Sequence, residues 1–330
     1  MPCLPGPAVA VSPCQCAGET GPLRKALIAK LMKPNRPTHT IALLLLALSS
    51  FTNATGPLHG EPGGKTPPIL SPAALQNIEA AVPPTATATP ARPRRLLVFW
   101  RCEGFFHGEG IAGANHALTV MGGKTGAYTA DLSDDYAVLE PATLAKYDAV
   151  VLNNTTQLKL PVTARQALLQ FVRQGKGLVG IHAATDSFSD WAEGAALLGG
   201  VFDGHPWGGG GTWAFKLDEP DHPLNRAWAG QGFKLRDEIY QFKAPYTRAD
   251  RRVLVSLDLS DPATGAVKNG VKRTDQDFAV AWVKSCGEGR VFYCSLGHAD
   301  NVFQSPEVLR FYLDGIQFAL GDLTADAGPR

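Results

Sequence analysis

Gly177-Leu178-Val179-Gly180-Ile181-His182-Ala183-Ala184-Thr185-Asp186 decides how this chain is read. A continuous apolar run bounded by glycine is the signature of a strand buried on both faces, as in a parallel or mixed sheet. This one ends by delivering a histidine at its carboxyl edge. Gly289-Arg290-Val291-Phe292-Tyr293-Cys294-Ser295-Leu296-Gly297-His298 repeats the pattern more than a hundred residues later, and Leu96-Leu97-Val98-Phe99-Trp100 is followed by His107. Ligands of open α/β sheets bind in the crevice outside the carboxyl ends of the strands. Three histidines at equivalent strand ends therefore point to one site.

Outward from these runs, strands alternate with helical patterns. After the strand at Leu96–Trp100, a helix is expected near Ile111–Met121, a short strand at Tyr128–Asp131, a helical turn at Pro141–Lys146 and a strand at Ala149–Leu152. The next helix has Thr163 as its expected cap, Gln166 completing a capping box, and Leu168, Leu169, Phe171 and Val172 on its inner face before Gly175 stops it. This βαβαβ order implies right-handed crossovers and an α/β fold, with helices on both faces of a mostly parallel central sheet. Beyond His182, strands at Thr212–Leu217, Leu235–Phe242, Val253–Leu257, Ala279–Val283 and Arg290–Ser295 predict antiparallel additions. Ser305-Pro306 then caps a final helix with Leu309, Tyr312, Ile316 and Ala319 on one face.

The compact domain is expected over residues 94–322 of the 330, with 323–330 as a tail. Residues 55–93, rich in Pro, Ala, Thr and Gly, read as a linker that contributes no core, with one short helix at Pro72–Ala81. Residues 1–54 read as an upstream extension and a signal peptide. Met32-Lys33-Pro34-Asn35-Arg36 is the basic region and the expected true start, Ile41–Leu48 the apolar region, and Thr52-Asn53-Ala54 the cleavage site. The expectation is a periplasmic or secreted protein with no integral membrane segment after cleavage. Its loss removes Arg24, Lys25, Lys30, Lys33, Arg36 and Glu19 and takes the formal charge from +1 to −3. A near-neutral chain without a basic stripe is a poor nucleic-acid binder. Only Cys102, Cys286 and Cys294 then remain, too few for a disulfide framework, and they read as buried thiols.

The sharp turn after Ile181 lies where flavodoxin-like hydrolases and glutamine amidotransferases carry a nucleophile, but the residue here is His182. Without a thiolate or a Gly-x-Ser-x-Gly elbow, the amidotransferase mechanism is excluded. Gly208-Gly209-Gly210-Gly211 precedes a strand and lacks a following Lys-Ser/Thr, so it is not a phosphate loop. His222 in Asp221-His222-Pro223 reads as the structural start of a helix. Imidazoles suit proton transfer and divalent metal binding alike. With no His-x3-His or Cys-x2-Cys spacing, a divalent metal would rest on convergence in space.

The chain from about Arg95 to Asp322 resembles the ThuA-like (trehalose-utilisation) family of the glutamine-amidotransferase-like superfamily. The resemblance is carried by Gly104-Phe105-Phe106-His107, Gly180–Asp186, Leu198–Pro206, His222-Pro223-Leu224, Asp237-Glu238-Ile239-Tyr240, Ala281-Trp282-Val283 and Gly287–His298. It implies a flavodoxin-like, class I glutamine-amidotransferase-like three-layer sandwich without the amidotransferase nucleophile. It also implies an association with disaccharides and keto-sugars. The combined expectation is a secreted carbohydrate-active protein that acts on an oxidised sugar or glycoside by acid–base chemistry. A non-catalytic sugar-binding or scaffold domain is the alternative. His107, His182, Glu238 and His298 are the expected catalytic set, Glu238 as base or acid with Asp237 as a structural neighbour. Asp186, Trp191, His205, Trp207, Tyr240 and Asp300 are the expected sugar-binding residues, with Trp191, Trp207 and Tyr240 as aromatic platforms. The partner is a small sugar or glycoside. The oligomeric state is left open.

Overall fold

The computed structural model describes residues 65–330. The signal-peptide reading, the proposed start at Met32 and the cysteines at 3, 14 and 16 lie outside the described residues. Among the described residues, no helix is long and apolar enough to cross a membrane.

The described residues form α1 (Pro72–Ala81), then β1 (Arg95–Phe99), α2 (Gly108–Thr125), β2 (Thr129–Ser133), α3 (Pro141–Leu144) and β3 (Ala149–Asn153). It continues through α4 (Val162–Arg173), β4 (Gly177–Ile181), α5 (Ala192–Leu198), β5 (Val201–Phe202), β6 (Thr212–Leu217), β7 (Phe233–Arg236) and β8 (Phe242–Lys243). Last come β9 (Arg252–Leu257), α6 (Pro262–Gly265), β10 (Ala279–Cys286), β11 (Gly289–Cys294) and α7 (Pro306–Leu320). One nine-stranded sheet runs in the order β2-β1-β3-β4-β11-β10-β9-β6-β7. β2, β1, β3, β4 and β11 are mutually parallel, and β10, β9, β6 and β7 extend the sheet antiparallel. Side chains of a strand alternate between faces, and here that alternation feeds two cores. Leu96, Val98, Val179 and Ile181 pack with α1, α2 and α7, while Leu97, Phe99 and Leu178 pack with α4 and α5. The three-layer α/β sandwich is thus built by period-2 burial of nearly all-apolar strands.

Four expectations change. The segment expected as a linker is part of the domain where it is described: Ile78, Ala81 and Val82 are buried in the same core as β1 and α7, and Thr87 and Ala88 donate their amides to Gln317 Oε1 at 2.8 and 3.0 Å. Composition marked it as a tether, but a few apolar residues at helical spacing bury one face of α1. The tail is likewise held, through Arg252 to Asp326 and Gly328. In α4, Pro161 stands at the cap position and Thr163 Oγ1 instead donates to Glu140 Oε1 at 3.0 Å. The proline starts the helix, which leaves the hydroxyl without a capping role. The strand expected over 235–242 is two, β7 and β8, with an irregular stretch at 237–241 between them. Ser305 caps α7 as read, accepting from Val308 N, and His222 caps the short helix Pro223–Trp228. Cys102 and Cys294 are buried and Cys286 is partly so, none in a disulfide.

Candidate functional site

β1, β4 and β11 run in one direction, so the segments that follow them leave by the same edge of the sheet. His182 directly follows β4 with φ +46°, a left-handed conformation uncommon outside glycine. Asn154 and Gln157, in the loop after β3, share it at +53° and +48°. Non-glycine residues held there concentrate at functional sites. Asn154 ties the strand ends together: its amide donates to Ile181 O, and its Nδ2 to Gly297 O at 3.2 Å.

Two devices place His298. Asp237, just past β7, accepts from Gly297 N at 2.7 Å and from His298 N at 3.1 Å. Gly110, in the first turn of α2, lets that helix lie against the same backbone: a Cβ there would stand 2.3 Å from Gly297 O. His107, at the start of α2, caps no amide of that helix with its ring. His182 Nδ1 donates to Ser295 O at 2.7 Å, which leaves Nε2 as the unprotonated nitrogen of the neutral ring.

The result is a cluster. The rings of His107, His182 and His298 have centroids 4.9–5.4 Å apart and stand at 76–84° to one another. One ligand atom from each of His107, His182, Glu238 and His298 falls within 4.8 Å of the others. These four are the residues that could hold a metal. Glu238 Oε1 is 3.8 Å from His182 Nε2 and 3.6 Å from His298 Nδ1, while Oε2 is 3.5 Å from His205 Nδ1. All three separations exceed hydrogen-bond length.

Burial sets the protonation. It holds His182 well below the ordinary histidine range, helped by neighbouring His107, and takes His107 down to about 3, helped by His298 and His205. Burial raises the Glu238 carboxyl, with His298 and His205 pulling the other way. Asp237 is pushed up to about 7 because burial outweighs its backbone donors. Burial also raises Asp186.

Two members of the cluster, His107 and Glu238, line a pocket of about 300 Å³ together with Phe105, Thr156, Gln157, Ala183, Asp186, Phe202, His205 and Tyr240. Of the expected residues, His107, Glu238, Asp186, His205 and Tyr240 are in its wall, and His182 and His298 complete the cluster with His107 and Glu238 without lining the pocket. Tyr240 Oη is 3.2 Å from His107 Nε2. Three expectations are corrected. Trp191 packs on Phe188 in the core. Trp207, expected as a sugar platform, is 1% exposed, donates to Thr264 O and packs on Phe278. Asp300 begins the short helix Asp300–Gln304, close against Gly113 of α2. Each is drawn away because its ring or backbone completes the packing of a neighbouring element. Phe105, Phe202 and Gln157 were not foreseen as pocket residues. Phe105, 66% exposed at the mouth, lay inside the quoted Gly104–His107 motif, and that was the signal available for it.

A family model described as "ThuA: Trehalose utilisation" matches residues 95–319. A ThuA-like protein from Bacteroides uniformis is similar in structure, with a TM-score of 0.57 at 23% identity, over 71% of this chain and 94% of that one. A ThuA-like protein from Parabacteroides merdae has a TM-score of 0.53 at 17% identity, over 72% and 98%. At such identities the likeness speaks for the fold. No curated protein sequence matches the chain.

Proposed function

The chain belongs to the ThuA, trehalose-utilisation family, and from that premise we propose that its pocket accepts an oxidised (keto) sugar or glycoside and enolises it. The observation that carries this reading is a cluster of three histidines and one glutamate, two of which, His107 and Glu238, line a small pocket with aromatic walls. Phe105, Phe202 and Tyr240 offer ring faces to the apolar side of a pyranose, and Gln157 and Asp186 offer polar atoms to its hydroxyls. A pocket of about 300 Å³ suits one sugar ring, with the remainder of a disaccharide directed out past Phe105.

A ketone acidifies the neighbouring C–H. A base removes that proton, and the C–H electron pair becomes the enolate C=C as the carbonyl π pair moves to oxygen. Return of the proton to carbon gives epimerisation or isomerisation. Expulsion of an alkoxide from the next carbon, protonated as it leaves, gives elimination. Glu238, raised by burial and 3.5 Å from the half-exposed His205, is the group placed to take the proton, with His205 relaying it to solvent. The keto oxygen points to the cluster of His107, His182 and His298. Simple glycoside hydrolysis by two opposed carboxylates is less favoured, because the cluster at the strand ends holds three histidines and a single carboxylate.

The test is a panel of keto-disaccharides beside their unoxidised parents, incubated in D2O and followed by NMR. Deuterium incorporation next to the ketone, or aglycone release, is expected for keto-sugars only. A folded protein that neither exchanges nor turns over any keto-sugar overturns the reading, and binding without exchange supports the non-catalytic alternative. We further propose export to the periplasm or medium, from the basic and apolar runs at Met32–Arg36 and Ile41–Leu48. N-terminal sequencing of exported protein should begin near Thr55, and a mature chain that retains Ile41–Leu48 would refute it.

A further inference from the structure

The cluster gathers imidazole nitrogens around one carboxylate, and a nitrogen of each ring is buried without a partner. His182 Nε2 is buried without a hydrogen-bond partner, because the ring proton is committed at Nδ1 to Ser295 O. His298 Nδ1 is likewise buried and unpartnered. Both face the same carboxylate oxygen of Glu238 at 3.8 and 3.6 Å. No lysine or arginine lines the pocket. Buried polar atoms without partners are uncommon and call for a reason. Lone pairs facing one another across such gaps repel unless a cation stands between them. Two ligands about 2.1 Å from one ion at a tetrahedral angle lie about 3.4 Å apart. The separations here are close to that spacing, and the near-perpendicular rings suit three imidazoles directed at one point.

We propose that His107, His182, His298 and Glu238 bind a single first-row divalent ion: Mn²⁺, Fe²⁺, Co²⁺, Ni²⁺ or Zn²⁺. Three imidazoles select this group over Mg²⁺ and Ca²⁺, which prefer oxygen. Outer contacts of the kind metal-binding histidines use are already in place. Ser295 O orients His182, Tyr240 Oη stands beside His107 Nε2, and Asp237 braces the backbone at His298. Glu238 meets the cluster through Oε1 and leaves Oε2 for His205, so metal binding and proton transfer use different oxygens of one carboxylate. The pocket above keeps one side of the ion open to a ligand, the arrangement of catalytic rather than structural sites. An ion there supplies a positive charge to a keto oxygen. The proposal shares the pocket with the keto-sugar reading but does not depend on it.

The experiment measures metal directly. The full chain is stripped with chelator, dialysed to equilibrium against each of the five ions in turn, and assayed by elemental analysis beside His182→Ala, His298→Ala and His205→Ala. About one equivalent per chain is expected for the wild type and for His205→Ala, and little for the other two variants. Co²⁺ should produce visible absorption bands, and the bound ion should raise the melting temperature of wild type but not of His298→Ala. Should His182→Ala fail to fold, Glu238→Gln, which keeps the side-chain volume, takes its place. Stripped protein that retains none of the five ions overturns the proposal, as does retention unchanged in His298→Ala and Glu238→Gln. No substrate is present, so the outcomes separate. Metal without keto-sugar exchange leaves the site standing and removes the substrate reading, and exchange by protein that retains none of the five ions does the reverse.

Discussion

The molecule buries two polar clusters and completes them in different ways. On α7, Gln317 is fully buried, and its amide is used at both ends: Oε1 accepts from Thr87 N and Ala88 N, and Nε2 donates to Ala88 O at 2.6 Å. Asp314, one turn earlier, accepts from Thr87 Oγ1, and Arg226 Nε lies 3.4 Å from its other oxygen. This cluster fastens the 72–93 segment to the domain with groups the chain itself provides. At the strand ends, by contrast, ring nitrogens of His107, His182 and His298 are buried without partners. In the first cluster a single atom, Asp314 Oδ2, lacks a hydrogen bond and faces the Arg226 guanidinium, whereas in the second each of three rings leaves a nitrogen unpaired. A satisfied buried network specifies structure, and an unsatisfied one at a strand-end crevice marks function.

The comparison can be broken in order of effect. His182→Ala should lower keto-sugar turnover by about 100-fold or more while the melting temperature changes little. A large loss of stability with activity intact would place His182 with the structural cluster instead. Gly110→Ala should reach the site indirectly, since its methyl would meet Gly297 O and displace His298. A shift of about 1 Å can cost about 100-fold in rate, so kcat should fall by up to that much with the protein still folded. Activity equal to wild type would show that the helix moves without carrying the site.

Gln317→Ala should do the opposite. It strands the amides of Thr87 and Ala88, at about 1–3 kcal/mol for each buried group left unpaired. Denaturant unfolding should show the loss, and limited proteolysis should cut within 83–93 sooner, with turnover retained. The smallest effect concerns pH. Burial pushes Asp314 up to about 6 from an ordinary value near 4. The folded state therefore binds this proton more tightly than the unfolded chain does. Stability from this group is present below pH ~4 and is lost as pH rises through about 6. Asp314→Asn should flatten that part of the stability–pH curve. An unchanged slope between pH 4 and 6 would show that Asp314 is charged throughout.

Much of this was legible in the sequence because parallel strands buried on both faces leave long apolar runs, and their carboxyl ends can be counted. β4, β11 and their histidines were read from such runs, and the shared direction of β1, β4 and β11 follows from the crossover rule. What was not legible depended on distant neighbours. Composition alone made 72–93 a linker, since its anchors are Gln317 and Asp314, more than 220 residues away. Trp207 sits among glycines in a loop-like stretch, yet its indole is buried on Phe278. Glu238 was placed in a strand, whereas it stands in the irregular stretch between β7 and β8. The left-handed backbone of Asn154 and Gln157 has no signature in residue type beyond the tolerance of asparagine for that region.

The most direct test of the difference between the two clusters is one paired measurement: keto-sugar exchange and melting temperature, side by side, for His298→Ala and Gln317→Ala. A crossed result is predicted, in which His298→Ala loses exchange and keeps the melting temperature of metal-stripped wild type, while Gln317→Ala loses melting temperature and keeps exchange. If His298→Ala retains exchange, or if both variants lose the two properties together, the strand-end cluster is not a functional centre distinct from the scaffold.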